Sequence, residues 1–155
     1  MKEKTLVRKA ASADLSVLAA LGQKLWPSHS REELEAEFAG TMKKTDAVFF
    51  LAFRDGNAAG FAQCGLRHDY VEGTESSPVG YLEGIFVEEK HRCRGVAAQL
   101  LSACQDWARQ QKCREFASDC EIRNLESLRF HLHHGFAEAG RIICFVKSLD
   151  EGAKL

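Results

Sequence analysis

Two β-type runs meet at a tight turn between Ala47 and Arg67, and the periodicity on either side of them leaves few architectures open. Ala47 to Arg54 is rich in aromatic and β-branched residues. Asp55-Gly56-Asn57 makes a hairpin turn, so Ala58 to Arg67 returns antiparallel. Upstream, Leu6-Val7-Arg8 is a short first strand, and Leu15, Leu18, Leu21 and Leu25 recur at helical spacing. That spacing predicts a helix from about Ser12 to Trp26, ended by Pro27. Ser30-Arg31-Glu32-Glu33 is a capping box that opens a second helix carrying Leu34 and Phe38 at i, i+4. Downstream, a polar loop from Asp69 to Pro78 leads to a strand over Val79 to Val87. A helix follows from Gly95 to about Gln110, with Val96, Leu100, Cys104 and Trp107 on one face. Glu115 to Ser118 is a short strand, Leu125 to His134 a helix with Gly135 as its C-cap, and Ala137 to Leu149 a closing strand. The order β-α-α-β-β-β-α-β-α-β argues for an α/β fold, a mixed and mostly antiparallel sheet flanked by helices. A chain of 155 residues suits one domain, spanning 1–155.

Composition removes several classes of function. A net charge of -1 gives no general field for polyanions, so nucleic acid is not expected as a partner. Met1 to Lys9 holds no apolar run long enough for a signal peptide, and no stretch approaches the roughly 20 apolar residues that span a bilayer. A cytoplasmic location is expected. Six scattered cysteines, Cys64, Cys93, Cys104, Cys113, Cys120 and Cys144, form no C-x-x-C pair and fit reduced thiols. Cys104 and Cys144 fall in apolar periods and read as small core residues. His131, His133, His134 and Cys144 lie close in sequence, but His-x-His-His on a helix points its rings apart, so no metal site is expected.

Arg92-Cys93-Arg94-Gly95-Val96-Ala97 carries the chemistry. It joins a strand to the first turn of a helix, where backbone N–H groups lack intrahelical partners and the dipole favours an anion. Gly95 and Ala97 would let the backbone approach a pyrophosphate. The spaced glycines of a dinucleotide fingerprint and the lysine of a P-loop are both missing. Taken alone, the segment reads equally well as an ordinary charged turn.

In its context this segment resembles the signature Q/R-x-x-G-x-G/A of the GNAT superfamily of acyl-CoA N-acyltransferases, with Arg92, Gly95 and Ala97 in the three fixed positions. Asn124 followed by Phe130 to Phe136 is similar to the later motif of that superfamily. Leu25 to His29, Arg67 to Gly73, Ser76-Ser77-Pro78, Leu82 to Val87 and Ala117-Ser118-Asp119 narrow the resemblance to type I aminoglycoside 6'-N-acetyltransferases. The resemblance implies acetyl-CoA as co-substrate, a cationic amine as acceptor, direct transfer in a ternary complex, and a homodimer. It implies that Ile85, Phe86 and Val87 line the pantetheine arm, with Ile85 and Val87 pairing through their backbones. The amides of Cys93, Arg94, Gly95, Val96, Ala97 and Ala98 would hold the pyrophosphate, and Asn124 would meet the cofactor further along. Trp26, His29, Tyr70, Glu83 and Asp119 correspond to acceptor-binding positions. The subfamily often has another carboxylate where this chain has Gly140, with Glu138 nearby.

Several of these residues also have a plainer reading. Glu83 is either a solvent-facing strand residue or a cleft carboxylate that binds an ammonium group and can take its proton. Asp119 is an acceptor ligand or an ordinary turn residue. Trp26 is a core anchor or an aromatic wall for a cation. His131 occupies the position where many superfamily members carry a tyrosine that protonates the leaving thiolate, and it could equally pack against the cofactor helix. The acceptor itself stays open between an aminoglycoside, a protein N-terminus, a lysine and a polyamine. A non-catalytic acyl-CoA-binding module is the alternative of another class.

Overall fold

The structure, a computed structural model, describes residues 4–152. Its strands are β1 (Thr5–Lys9), β2 (Ala47–Arg54), β3 (Asn57–Arg67), β4 (Val79–Val87) and β5 (Phe116–Ser118). Its helices are α1 (Leu15–Leu25), α2 (Arg31–Met42), α3 (Val96–Gln110) and α4 (Leu125–His133). The strands form one sheet in the order β1-β2-β3-β4-β5, antiparallel throughout except for the parallel β4–β5 pair. Local chemistry explains most boundaries. Asp55 and Gly56 both take positive φ (51° and 78°), the backbone that a tight hairpin requires. Ser30 Oγ accepts the Glu33 N–H at 3.1 Å and starts α2. Gly135 at φ 90° ends α4, and the Phe136 N–H closes the turn on the His131 carbonyl.

The sheet separates two apolar cores. On one face α1 and α2 bury Leu18, Leu21, Leu34 and Phe38 against Phe49, Leu51 and Phe61. On the other, α3 buries Leu100, Leu101, Cys104 and Trp107 against Val48, Ala62, Cys64, Leu82 and Val87. Each large side chain so buried contributes about 1.5–3 kcal/mol.

Two expectations fail at the C-terminus. The segment 137–149 forms no strand among the described residues, so the order ends after α4. Within one chain β5 offers a ladder only three residues long, Phe116 to Ser118, and that edge cannot hold a strand of thirteen. Ile142, Ile143, Phe145, Val146 and Leu149 are consequently between 78% and 90% exposed. Cys144, read from its apolar surroundings as a core residue, is exposed with them. Cys64, Cys104 and Cys113 are buried, and all six thiols are free. The Cys64 thiol is pushed up by a hydrogen bond with Cys104 and then by burial, which keeps it protonated.

Candidate functional site

β4 and β5 run together only from Gly80 to Leu82, opposite Phe116 to Ser118. Beyond Leu82 the strands part, and β4 keeps an open edge from Glu83 to Val87. The opening coincides with a bulge. Across β3 and β4, Gln63 pairs with Gly84 but Cys64 with Leu82, so Glu83 has no partner of its own. The bulge also resets the alternation of side chains. Leu82, Ile85 and Val87 all pack on the α3 side although 82 and 85 differ by an odd number, while Phe86 packs on the α1–α2 side.

At the far end of that edge the chain turns into α3. Cys93 and Gly95 take positive φ, 60° and 78°, and Gly95 is the N-cap. The first intrahelical bond runs from the Gln99 N–H to the Gly95 carbonyl, so the amides of Val96, Ala97 and Ala98 precede any helical acceptor. A Cβ on Gly95 would meet nothing within 4 Å. The glycine is therefore required by its backbone angle, not by crowding within the chain. Arg92 turns inward: its Nε donates to the Val87 carbonyl at 2.9 Å, and its guanidinium lies 5.8 Å from the Phe86 ring. That carbonyl, on a strand expected to pair with pantetheine, is already engaged. Exposed Cys93 and Arg94 lie on the turn itself.

Asn124 stands at the start of α4, and its Oδ1 accepts the Ser127 N–H at 3.0 Å. Its amide nitrogen is the part left for a ligand. Two turns on, His131 is tied at both ring nitrogens, with Nδ1 2.7 Å from the Ser127 carbonyl and Nε2 2.9 Å from Ser118 Oγ. A carbonyl only accepts, so Nδ1 carries a proton. Ser118 Oγ also lies 3.2 Å from the Leu82 carbonyl. A hydroxyl has one proton to give. When Ser118 donates to Leu82 it accepts from a charged imidazolium, and when the ring is neutral it donates to Nε2 instead. Both arrangements are hydrogen-bonded, so a proton can pass between His131 and Ser118 at the point where β4 and β5 separate. The ring is also packed edge-on to Phe136 and Phe130, at 5.0 and 5.5 Å. The packing and the chemical readings of His131 are thus compatible.

Glu83 and Asp119 flank the same opening, one on the bulge and one just past β5. Tyr81 Oη donates to Asp119. Burial, then the hydrogen bond and charge of Asp119, push the Tyr81 phenol up, so it stays a donor. Glu83 accepts from Arg67 at 2.8, 3.0 and 3.1 Å. The Arg67 guanidinium lies 4.0 Å from the centre of the Tyr81 ring. Burial pulls Arg67 down, but the hydrogen bonds and charge of Glu83 carry it above its ordinary value. Arg67 and Tyr81 were not among the residues the sequence singled out for the site; Arg67 opens one segment of the resemblance, and Tyr81 lies in none of them.

The acceptor positions are only partly brought together. Trp26 packs against Gly84, where a Cβ would come within 2.6 Å of the indole, and its ring meets Phe38 and Phe61 edge-on at 6.2 and 6.0 Å. It is a core anchor that also packs against Gly84, the residue next to Glu83 in the chain. Tyr70 projects from the 69–78 loop, 77% exposed. His29 sits beyond α1, with Nδ1 3.4 Å from Glu33. At Gly140 the atoms nearest a would-be Cβ all belong to Glu72, at 3.6–4.0 Å, whereas Glu138 is paired with Arg141. The carboxylate at that place comes from the loop. A separate open cavity of about 650 Å³, lined by Lys43, Lys44, Asp46, His68 and others, shares none of these site residues. Among the described residues no three His, Cys, Asp or Glu side chains are disposed to hold a metal ion.

Known proteins share this arrangement. An aminoglycoside N(6')-acetyltransferase type 1 of Serratia marcescens is 44% identical over 137 residues, covering 88% of this chain and 94% of its own. The crystal structure of the aminoglycoside N-acetyltransferase AAC(6')-Iy with CoA superposes with a TM-score of 0.91 at 39% identity, over 95% of this chain and 97% of that one. The same protein bound to a bisubstrate analogue, CoA-S-monomethyl-acetylneamine, superposes at 0.89 and 39% identity, over 94% of this chain and 99% of that one. Residues 15–136 match the acetyltransferase (GNAT) family, and with the splayed β4 edge leading into the α3 turn, this chain belongs to that family.

Proposed function

We propose that this chain transfers the acetyl group of acetyl-CoA to an amine, the 6'-amine, of aminoglycosides and so confers resistance to them. The observation that carries this reading is the meeting of an open β4 edge with two carboxylates, Glu83 and Asp119, at the β4–β5 opening. A thioester delivered along such an edge would lie beside a cation-binding cleft. The named relatives, which match nearly the full length of the chain, support the same reaction.

In this reading the open edge of β4 at Ile85, Phe86 and Val87, apart from the Val87 carbonyl held by Arg92, receives the pantetheine arm as an added strand, and an N–H there stabilises the oxyanion. The amides from Cys93 to Ala98 hold the pyrophosphate, and the Asn124 amide nitrogen meets the cofactor near α4. Glu83 and Asp119 bind ammonium groups, with Trp26, His29 and Tyr70 as walls. The neutral amine attacks the thioester directly, and the proton for the departing sulfur comes from His131 by way of Ser118. One domain carries all of this.

The active unit is a homodimer in the cytoplasm. Support comes from the apolar segment 142–149 and from α4, which buries no residue fully and leaves Leu125 and Leu132 exposed. A second copy is the simplest cover for both. Neither nucleic acid nor membrane belongs to this reading, and no described helix is long and apolar enough to cross a membrane.

The test is acetyl-CoA turnover, followed by thiol release, with kanamycin-type aminoglycosides, spermidine and lysine-bearing peptides side by side. Aminoglycosides should exceed the others in kcat/KM by at least a hundredfold. Preference for a peptide or polyamine would move the acceptor assignment, and no turnover with any amine would remove the enzymatic reading.

A further inference from the structure

Glu83, the carboxylate on the bulge, does not wait empty for an acceptor: both of its oxygens are held by Arg67, from the end of β3. The Arg67 guanidinium has a second support in the Tyr81 ring, 4.0 Å away, and Tyr81 in turn is hydrogen-bonded to Asp119. One cation thus sits between the two carboxylates of the cleft. The pair is loosely held, since 46% of the Arg67 side chain and 33% of that of Glu83 remain exposed. An exposed pair of this kind is worth little and is easily exchanged.

We propose that Arg67 is the resident counter-ion of Glu83, displaced by the acceptor's ammonium group on binding and restored when acetylation has made that group a neutral amide. The inference rests on the aminoglycoside reading of the site. Its logic is charge conservation in a half-dry cleft. The ammonium nitrogen enters with three protons, forms a bond to the acetyl carbon, and the carbon–sulfur bond of acetyl-CoA breaks. One proton stays on the amide nitrogen, one ends on the CoA sulfur, and one leaves to solvent. The cleft has then lost a positive charge, and Glu83 would be left unpaired against a neutral product. Arg67, still stacked on Tyr81, is positioned to take the carboxylate back. It acts through Glu83 and is a positioning residue that competes with the charged acceptor and re-pairs the carboxylate over the neutral product.

The sign of the effect separates this role from a merely structural one. If Arg67 only braced Glu83, its removal would weaken acceptor binding. If it competes with the acceptor, its removal strengthens it. Calorimetry of the CoA-bound protein with kanamycin A and with its 6'-N-acetyl product is the direct measurement. In Arg67→Met, kanamycin A should bind about three- to fivefold more tightly, while the acetylated product should bind no better than to wild type. Arg67→Gln should behave alike. In a Glu83→Gln background the same Arg67→Met change should have no effect on kanamycin A. Weaker or unchanged kanamycin A binding, an equal gain for the product, or a gain that survives Glu83→Gln each overturns the proposal. Wild-type protein that neither binds nor acetylates kanamycin A overturns the aminoglycoside reading itself, which is a different result from a failure confined to the Arg67 variants.

Discussion

Ser118 is a small residue at the end of a three-residue strand, yet two groups, the His131 ring and the Leu82 carbonyl, converge on its hydroxyl where β4 and β5 part. Ser118→Ala removes the hydroxyl that links the ring to that opening. It should lower kcat about tenfold or more while changing the acetyl-CoA Kd less than twofold, as measured by steady-state kinetics beside calorimetry. Equal losses in both would assign Ser118 and His131 to packing. At this scale the sequence was informative about residue types and weak on their partners. Glu83 stood out because a carboxylate interrupts an apolar strand. Its engagement by Arg67 was not visible, because the two lie 16 positions apart and meet only once β3 and β4 pair. The extra residue of the bulge was barely signalled: Gly84 inside the strand is compatible with a bulge, but the close approach of Trp26 accounts for that glycine equally well.

The elements were legible wherever a cap or turn residue marks them. Ser30, Asp55-Gly56 and Gly135 each do what their chemistry predicts, and β4 begins and ends at the expected residues. Two elements yield tests. At the start of α3, any residue other than glycine at position 95 must hold a φ near 78°, which costs about 1–2 kcal/mol before any ligand arrives. Gly95→Val should therefore lower Tm by several degrees and weaken acetyl-CoA by more than tenfold. An unchanged Kd by calorimetry would remove the α3 turn from the cofactor site. At the β1–α1 junction, Asp14 takes bonds from Arg8 at 2.7 and 2.9 Å and from the Ala11 N–H at 2.8 Å. The Arg8 hydrogen bond, then the Ala11 amide, bring the Asp14 carboxyl down to about 2, with burial opposing. A depressed folded pKa means stability that is full above the ordinary aspartate value near 4 and lost as pH falls towards 2. Asp14→Asn should lower Tm at pH 7 and flatten the fall in Tm between pH 4 and pH 2. An identical acid limb in both proteins would show that the junction contributes nothing.

Across the whole molecule the sheet ends in a five-residue strand, β1, on one side and in a three-residue strand, β5, on the other. The last segment kept the composition of a strand, which is why its apolar residues read as one, but composition does not say whose edge it pairs with. Five large apolar side chains exposed in one segment, with Leu125 and Leu132 of α4 exposed as well, are more than a monomer ordinarily leaves in water. Light scattering should give about twice the 17.3 kDa mass of the chain. Ile143→Asp should shift the protein towards the monomer or into aggregates, with loss of Tm. A wild-type monomer of full stability would show that the segment needs no second copy. The bulge at Glu83 has a consequence of another sort. Were β4 one residue shorter there, β5 could zip along it, the sheet would gain ladder bonds, and the cleft would close. The tighter protein would be an inert one. Selection for heat tolerance alone should then enrich for changes around 82–85 and 118–120 that silence the enzyme, so variants gathered for ruggedness need to be screened for turnover at every round.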